Sequence, residues 1–194
     1  MSYPRRQELR RLSRAGTAVV GGAIAGLLAL GVASMGALSL AGVLFVVAMA
    51  FGFSARRSLV LAERSRVGAR SEDDVRHALA LLRTDGWRLR HSLQWRGGGD
   101  IDLVAIAPWG VAFAIEVKTS RYEDRHLVVV REQAGWLWRF RRRWCRQGVV
   151  PVLCVARARG VYRWEDSVLV VSIDRLVLAL HATSYPIESV AVPF

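Results

Sequence analysis

The segment "GDIDLVAIAPWGVAFAIEVKT", Gly99 to Thr119, decides how the chain is read. It holds two apolar runs, "DIDLVAIA" and "VAFAIEVKT", parted by Pro108-Trp109-Gly110. Pro suits the first turn position and Gly the left-handed one, so the runs are expected as strands of a hairpin with a three-residue loop. The second run is nearly all apolar, as in a strand buried on both faces. If residue 107 pairs with 111, Asp102 falls opposite Glu116 and Asp100 opposite Lys118. Period-two alternation then sends all four side chains to one face, whereas a two-residue loop would set Asp102 and Glu116 on opposite faces.

Lys118 is the only lysine among 28 basic residues. Codon bias explains a general excess of Arg, but not a Lys at this one place. A lysine ammonium is compact and can exchange a proton, which a guanidinium in effect cannot. Phosphodiester hydrolysis asks for this combination. Carboxylates on adjacent strands hold a divalent cation, and a nearby cation orients water and stabilises developing negative charge. Asp102, Glu116 and Lys118 are the candidates for those roles.

Outward from the hairpin, Ser71-Glu72-Asp73-Asp74 has the form of a capping box. Val75, Ala78, Leu79 and Leu82 follow at helical spacing, and Asp85-Gly86 is expected to end the helix, which puts Glu72 at the head of the apolar stripe. "WRLRHSLQW" predicts a strand with Trp87, Leu89, Leu93 and Trp95 on one face, broken by Gly97-Gly98-Gly99. Beyond the hairpin, "HLVVV" is a candidate strand. Glu132 to Gln147 reads as a helix with Trp136, Phe140 and Trp144 on one stripe. The stripe is expected as core, and the interleaved Arg139, Arg141, Arg142 and Arg143 are candidates for phosphate contact. "VVPVLCVA" and "VLVVSI" predict two more strands, and "DRLVLAL" a short closing helix capped by Asp174. The fold class is α/β (α+β) around a mixed sheet.

The amino-terminal part is of another kind. From Ala15 to Ala55 run 41 residues without a formal charge. One helix of that length would measure about 60 Å, roughly twice the hydrocarbon thickness, so a transmembrane hairpin of two spans is expected, turning near Ser34-Met35-Gly36. A cleaved signal peptide has a much shorter apolar core. Arginines flank the run on both sides, Arg5 to Arg14 before it and Arg56 to Arg66 after it. The positive-inside tendency then places both termini and the soluble domain in the cytoplasm, as a multi-pass protein of the cell membrane. Gly22 and Gly26 form a small-xxx-small pair, a weak sign of helix pairing that leaves a homo-oligomer open. The expected organisation is a basic terminus at 1–14, the hairpin at 15–55, a basic connector at 56–67 and a domain at 68–194.

The part beyond residue 55 carries a net charge of +8, which suits nucleic acid or lipid headgroups as partners. Cys145 and Cys154 lack CxxC spacing and are expected as reduced thiols. His77, His91, His126 and His181 show no metal spacing.

Asp102 followed by "LVAI", the hairpin, and Glu116-Val117-Lys118 ending an apolar strand, with Glu72 on a preceding helix, resemble the PD-(D/E)xK nuclease superfamily. More narrowly, "GARSEDDV", "GDIDLVAIAPWGVAFAIEVKT" and the membrane anchor resemble the nuclease-related domain, NERD, from about Gly68 to Val171. The resemblance implies a restriction-endonuclease-like core acting on DNA or RNA with Mg2+ or Mn2+. It implies Asp102 and Glu116 as metal ligands, Glu72 assisting the metal or its water, and Lys118 as the water-activating residue. It matches Gln133 to a Gln found on the later helix of related nucleases. Ile101 stands where the superfamily often has Pro, and Asp100 is the rival to Asp102 as ligand; the strand that follows Asp102 favours 102. Against a membrane-anchored nuclease stand two other readings: a catalytically silent nucleic-acid-binding or scaffolding module of the same fold, and a lipid-associated structural protein.

Overall fold

The computed structural model describes residues 3–96 and 99–184, so Gly97, Gly98 and the expected domain's last ten residues, 185–194, lie outside the described residues. The chain divides into two compact units between Val67 and Gly68.

In the first unit α1 (Tyr3–Ser34) and the leading part of α2 (Leu38–Ala80) are long enough and apolar enough to cross a membrane. The turn falls at residues 35–37, with Gly36 at φ 80°. Ala15, Ala18, Ala25 and Ala29 are buried while Leu27, Leu30 and Phe53 are exposed, a small-residue seam inside and a lipid-suited surface outside. A side chain at Gly22 would meet Phe51 Cβ at 3.2 Å, so Gly22 lets the two helices approach; Gly26 faces open space. Arg11 ties the base of the hairpin, donating to Leu61 O at 2.7 Å and Ser65 Oγ at 2.5 Å.

The capping box does not start a helix. α2 runs unbroken through residues 56–74: the segment is mostly Arg, Leu, Ala, Glu and Ser, without proline, and these outweigh the single Gly68. Ser71 Oγ donates to Thr119 Oγ1 at 3.2 Å, and Glu72 and Asp73 turn to Arg76 at i+4 and i+3. A 3-10 turn, Leu81–Arg83, and Gly86 at φ 81° end the helix.

The second unit is built on a six-stranded mixed sheet, β1 (Arg88–Gln94), β2 (Asp100–Ile106), β3 (Val111–Lys118), β4 (Gly148–Val155), β5 (Tyr162–Glu165) and β6 (Val168–Ser172), in the order β1-β2-β3-β4-β6-β5. β1, β2 and β3 form an antiparallel meander, β3, β4 and β6 are parallel, and β5 returns antiparallel on the edge. Val75 and Leu79 of α2, Leu82 of the 3-10 turn, and Leu176, Ala179 and Leu180 of α4 (Ile173–Ser184) cover one face. Leu127, Val130, Ala134 and Leu137 of α3 (Asp124–Phe140) cover the other.

The hairpin has the expected register. Leu103 pairs with Ile115 and Ile106 with Ala112, Ala107 N donates to Val111 O at 2.8 Å, and Gly110 takes φ 100°. Other expectations change. "HLVVV" is the first half of α3, not a strand. Leu127, Val130, Ala134 and Leu137 recur at helical spacing, and Glu123 and His126 cap the helix reciprocally. The expected helix at 132–147 therefore begins at Asp124 and ends at Phe140; Phe140 is exposed, and Trp144 lies in the turns beyond. β5, whose "YRWE" is short and polar, carries no apolar run that a sequence reading could find. Trp87 and Leu89 pack with the α2 and α4 layer, but Leu93 and Trp95 pack with α3. The side change falls at Ser92, which takes φ 50° between His91 and Leu93.

Candidate active site

The β2–β3 ladder stops at Leu103 and Ile115, one step short of Asp102 and Glu116. There the Asp102 carboxylate replaces the missing backbone partner, its Oδ2 accepting Val117 N–H at 2.8 Å. The alternation of β2 slips at the same point, since Ile101 packs on the α3 side together with Val104 and Ile106. The four acidic and basic side chains are thus not the flat row that an unbroken ladder would give. Asp102 is drawn to the β3 backbone, and Asp100 pairs across to Gln94 of β1.

Glu116 and Lys118 lie on one face as alternation requires, with Lys118 Nζ 2.7 Å from Glu116 Oε1. Gln133 is buried in the middle of α3, not at its start, and its Nε2 donates to Glu116 Oε2 at 3.1 Å. Gln133 Oε1 is buried without a partner. Glu72 is 6 % exposed and receives Arg76 Nη2 at 3.3 Å. The same guanidinium reaches Ser92 Oγ at 3.4 Å, so the left-handed Ser92 and Arg76 together fix the Glu72 carboxylate. A sequence reading passes over Arg76 and Ser92. Arg76 at i+4 from Glu72 was the available signal; a left-handed Ser leaves none.

The three carboxylates act on each other. Burial holds the Glu72 carboxyl up at about 7, with the charges of Asp73 and Glu116 adding to it and Arg76 and Lys118 opposing. Burial, then the charges of Glu116 and Glu72, raise Asp102 well above the usual carboxylate range, and the Val117 N–H and Lys118 only partly offset this. The cluster is short of positive charge.

That shortage, with hard oxygen donors, fits a divalent cation of the Mg2+ class. Each Glu116 oxygen receives one donor, and a carboxylate has about four lone-pair sites, so accepting capacity remains. Among the described residues no three of His, Cys, Asp and Glu converge closely enough to hold a metal by themselves.

The structure does not bring Arg139, Arg141, Arg142 and Arg143 to this site. They follow α3 to the amino ends of β3 and β4, where Gln147 N–H reaches Gly110 O. Lys118 is at the other end of β3, roughly 23 Å away at 3.3 Å per residue. Arg141 stacks over Trp136 and Trp144, at 5.6 Å and 5.5 Å from the ring centroids, and Arg142 over Trp138 at 4.5 Å. Both are engaged in cation–π contacts.

A mixed sheet with an acid on β2 and Glu-x-Lys at the end of β3, backed by helices on both faces, defines a PD-(D/E)xK-like fold. The nuclease-related domain (NERD) family matches residues 67–178, more than half of the chain, and the chain belongs to that family. No curated protein and no solved structure matches it. Membership points to nuclease-like function and, in general terms, to divalent metal.

Proposed function

We propose that this chain is a membrane-anchored, metal-dependent nuclease that hydrolyses phosphodiester bonds of DNA or RNA, with its NERD domain and both termini on the cytoplasmic side. The observation that carries the reading is the gathering of Glu72, Asp102, Glu116, Lys118 and Gln133 at the carboxyl end of β3, where the carboxylates want for a cation. Asp102 and Glu116 would hold Mg2+ or Mn2+, with Glu72 assisting. A divalent ion there supplies charge to polarise the phosphoryl group and to generate a nucleophile at neutral pH.

The chain's own residues do the rest. Gln133 and Lys118 grip opposite oxygens of Glu116 and hold its plane. Val117 N–H fixes Asp102. Lys118, its side chain 26 % exposed, keeps Nζ protons beyond the one given to Glu116, and these orient the attacking water and meet the charge that grows on the phosphoryl oxygens. The water oxygen bonds to phosphorus as the P–O bond to the leaving sugar oxygen breaks, the proton lost by the water passing to solvent and the leaving oxygen taking one up in turn to become the hydroxyl. Arg in place of Lys118 keeps the charge and loses the proton exchange.

The test is Mg2+-dependent cleavage of labelled DNA and RNA, single and double stranded, by the full-length protein in detergent. Asp102→Asn and Lys118→Arg variants, shown to be folded, run beside it. Cleavage by the parent that both variants lose supports the reading. Metal-independent binding without cleavage, unchanged in both, replaces it with a silent nucleic-acid-binding module.

A further inference from the structure

The carboxyl ends of β3, β4 and β6 finish side by side, Lys118 in register with Val155 and Val155 with Ser172. The chain does not leave this edge at once. Ala156 N–H donates to Lys118 O and Arg157 N–H to Thr119 O, both at 2.8 Å, so the segments after β3 and β4 continue together as a lip beyond the sheet. The lip carries Arg121, Arg157 and Arg159, all exposed. Among the described residues none of these three guanidinium groups has a hydrogen bond, an ion pair or a ring to stack on.

Behind the lip is a cleft of about 760 Å³ lined by Ala156, Arg157, Ala158, Arg159, Ile173 and Asp174. Its acid is already occupied: the Asp174 carboxylate accepts Gly160 N–H at 3.1 Å and 3.4 Å and lies 3.9 Å from Arg175. The cleft therefore presents positive charge. On its far side β5 begins at Tyr162, in register with Val171 of β6. Tyr162 and Trp164 pair with Val171 and Leu169 and so stand, 50 % and 52 % exposed, on the sheet face that α4 covers, opposite the α3 face that carries Glu116 and Lys118. Three strand spacings of about 4.8 Å separate β3 from β5, so a strand leaving Lys118 crosses some 14 Å of the edge and passes from the α3 face to the α4 face to reach Tyr162.

Unpaired guanidinium groups on a rim, with a carboxylate cluster on one side of it and exposed rings on the other, are what a single strand of nucleic acid needs to turn over the edge: phosphate on the rim, stacking faces for unpaired bases beyond it. We propose that a single-stranded segment runs from the carboxylate site across this edge, its phosphates on Arg157 and Arg159 with Arg121 beside them, and its bases on Tyr162 and Trp164. The proposal rests on the nuclease reading only in taking that strand to be the substrate. A duplex keeps its base faces stacked and has no use for the rings.

The experiment is fluorescence anisotropy with the full-length protein in detergent micelles and EDTA, so that binding is read without cleavage. The probes are a labelled single-stranded oligonucleotide of mixed sequence, the matching duplex, and vesicles with and without phosphatidylserine. Arg157→Ala/Arg159→Ala is expected to weaken single-strand binding about tenfold and to reduce the salt dependence by about 1.4 in log–log slope, 0.7 for each lost phosphate contact. Tyr162→Ala/Trp164→Ala is expected to weaken it about 30-fold or more with the slope unchanged. If either pair fails to fold, Gln for Arg and Leu for the aromatics take their place. Equal binding by parent and Arg variant, a preference for duplex, or an Arg effect seen only with phosphatidylserine vesicles overturns the proposal. A protein that cleaves nothing but shows the expected pattern keeps the track and loses the nuclease. One whose cleavage needs Glu116, yet whose KM and binding ignore Arg157 and Arg159, keeps the nuclease and loses the track.

Discussion

Replacing Glu72 by Gln should make the NERD domain more stable at the expense of its chemistry. Glu72 is 6 % exposed, and its carboxyl is raised from 4.5 to about 7, first by burial. An acid whose folded pKa lies above its unfolded value favours the folded state at low pH. That advantage is lost as pH rises from the unfolded value through the folded one. Above about 7 the folded protein must carry a charge that the unfolded chain bears more easily. At about 1.4 kcal/mol per pKa unit the span amounts to roughly 3 kcal/mol. Residual solvent around the group, and the counter-charge of Arg76 that Gln cannot use fully, reduce the measurable gain to about 1–2 kcal/mol. For a unit of this size that is a rise in Tm of about 3–8 °C. All 7 tryptophans lie between Trp87 and Trp164, so tryptophan fluorescence during heating reports on this unit alone. The gain should be full at about pH 8 in EDTA and shrink towards nothing near pH 4. Mg2+ should raise the Tm of the parent more than that of the variant. A variant with lower Tm at about pH 8, or with an equal gain at both pH values, would refute the argument that Glu72 is held charged against its surroundings.

Lys118→Arg should retain the fold and lose about 100-fold or more in kcat, the scale of a lost proton-transfer group, as measured by initial rates on a labelled oligonucleotide. Phe113→Ala, which empties a fully buried site between α2, α4 and the sheet, should cost about 3–5 kcal/mol and show as a large drop in Tm. Cys145 and Cys154 are both buried free thiols, and burial pushes Cys154 up to about 12 and Cys145 in the same direction. Iodoacetamide at about pH 8 should therefore label neither until the domain unfolds, as mass spectrometry of the intact protein will show.

How far the sequence could be read depended on whether the controlling contact was local. Pro108-Trp109-Gly110 sets a loop length, the loop length sets the register, and the register sets Glu116 and Lys118 on one face, all within about twenty residues. Capping signals failed for the same reason. Ser71 looks like a helix start along the chain, but Thr119, 48 positions away, takes its hydroxyl. "HLVVV" has the composition of a strand, and burial of Leu127 and Val130 against β4 and β6 makes it helix. Gln133 was expected at the start of a helix opening at 132 and lies in the middle of α3, since the cap at Glu123 lies outside the apolar pattern that marked the helix.

Composition and period alone place a two-span apolar hairpin ahead of a mixed α+β domain, pair β2 with β3, and single out Asp102, Glu116 and Lys118, because these depend on hydropathy, alternation and one tight turn. Nothing local could say that Arg76 and Ser92 hold Glu72, that Asp102 ends a ladder by taking Val117 N–H, or that Arg139 to Arg143 lie at the far end of the sheet from Lys118. Those outcomes follow from the crossover that carries α3 back along the sheet and from the break at Ser92, which settle which ends of the elements meet in space. Charge acts through distance, and only the folded chain sets the distances between residues far apart in sequence.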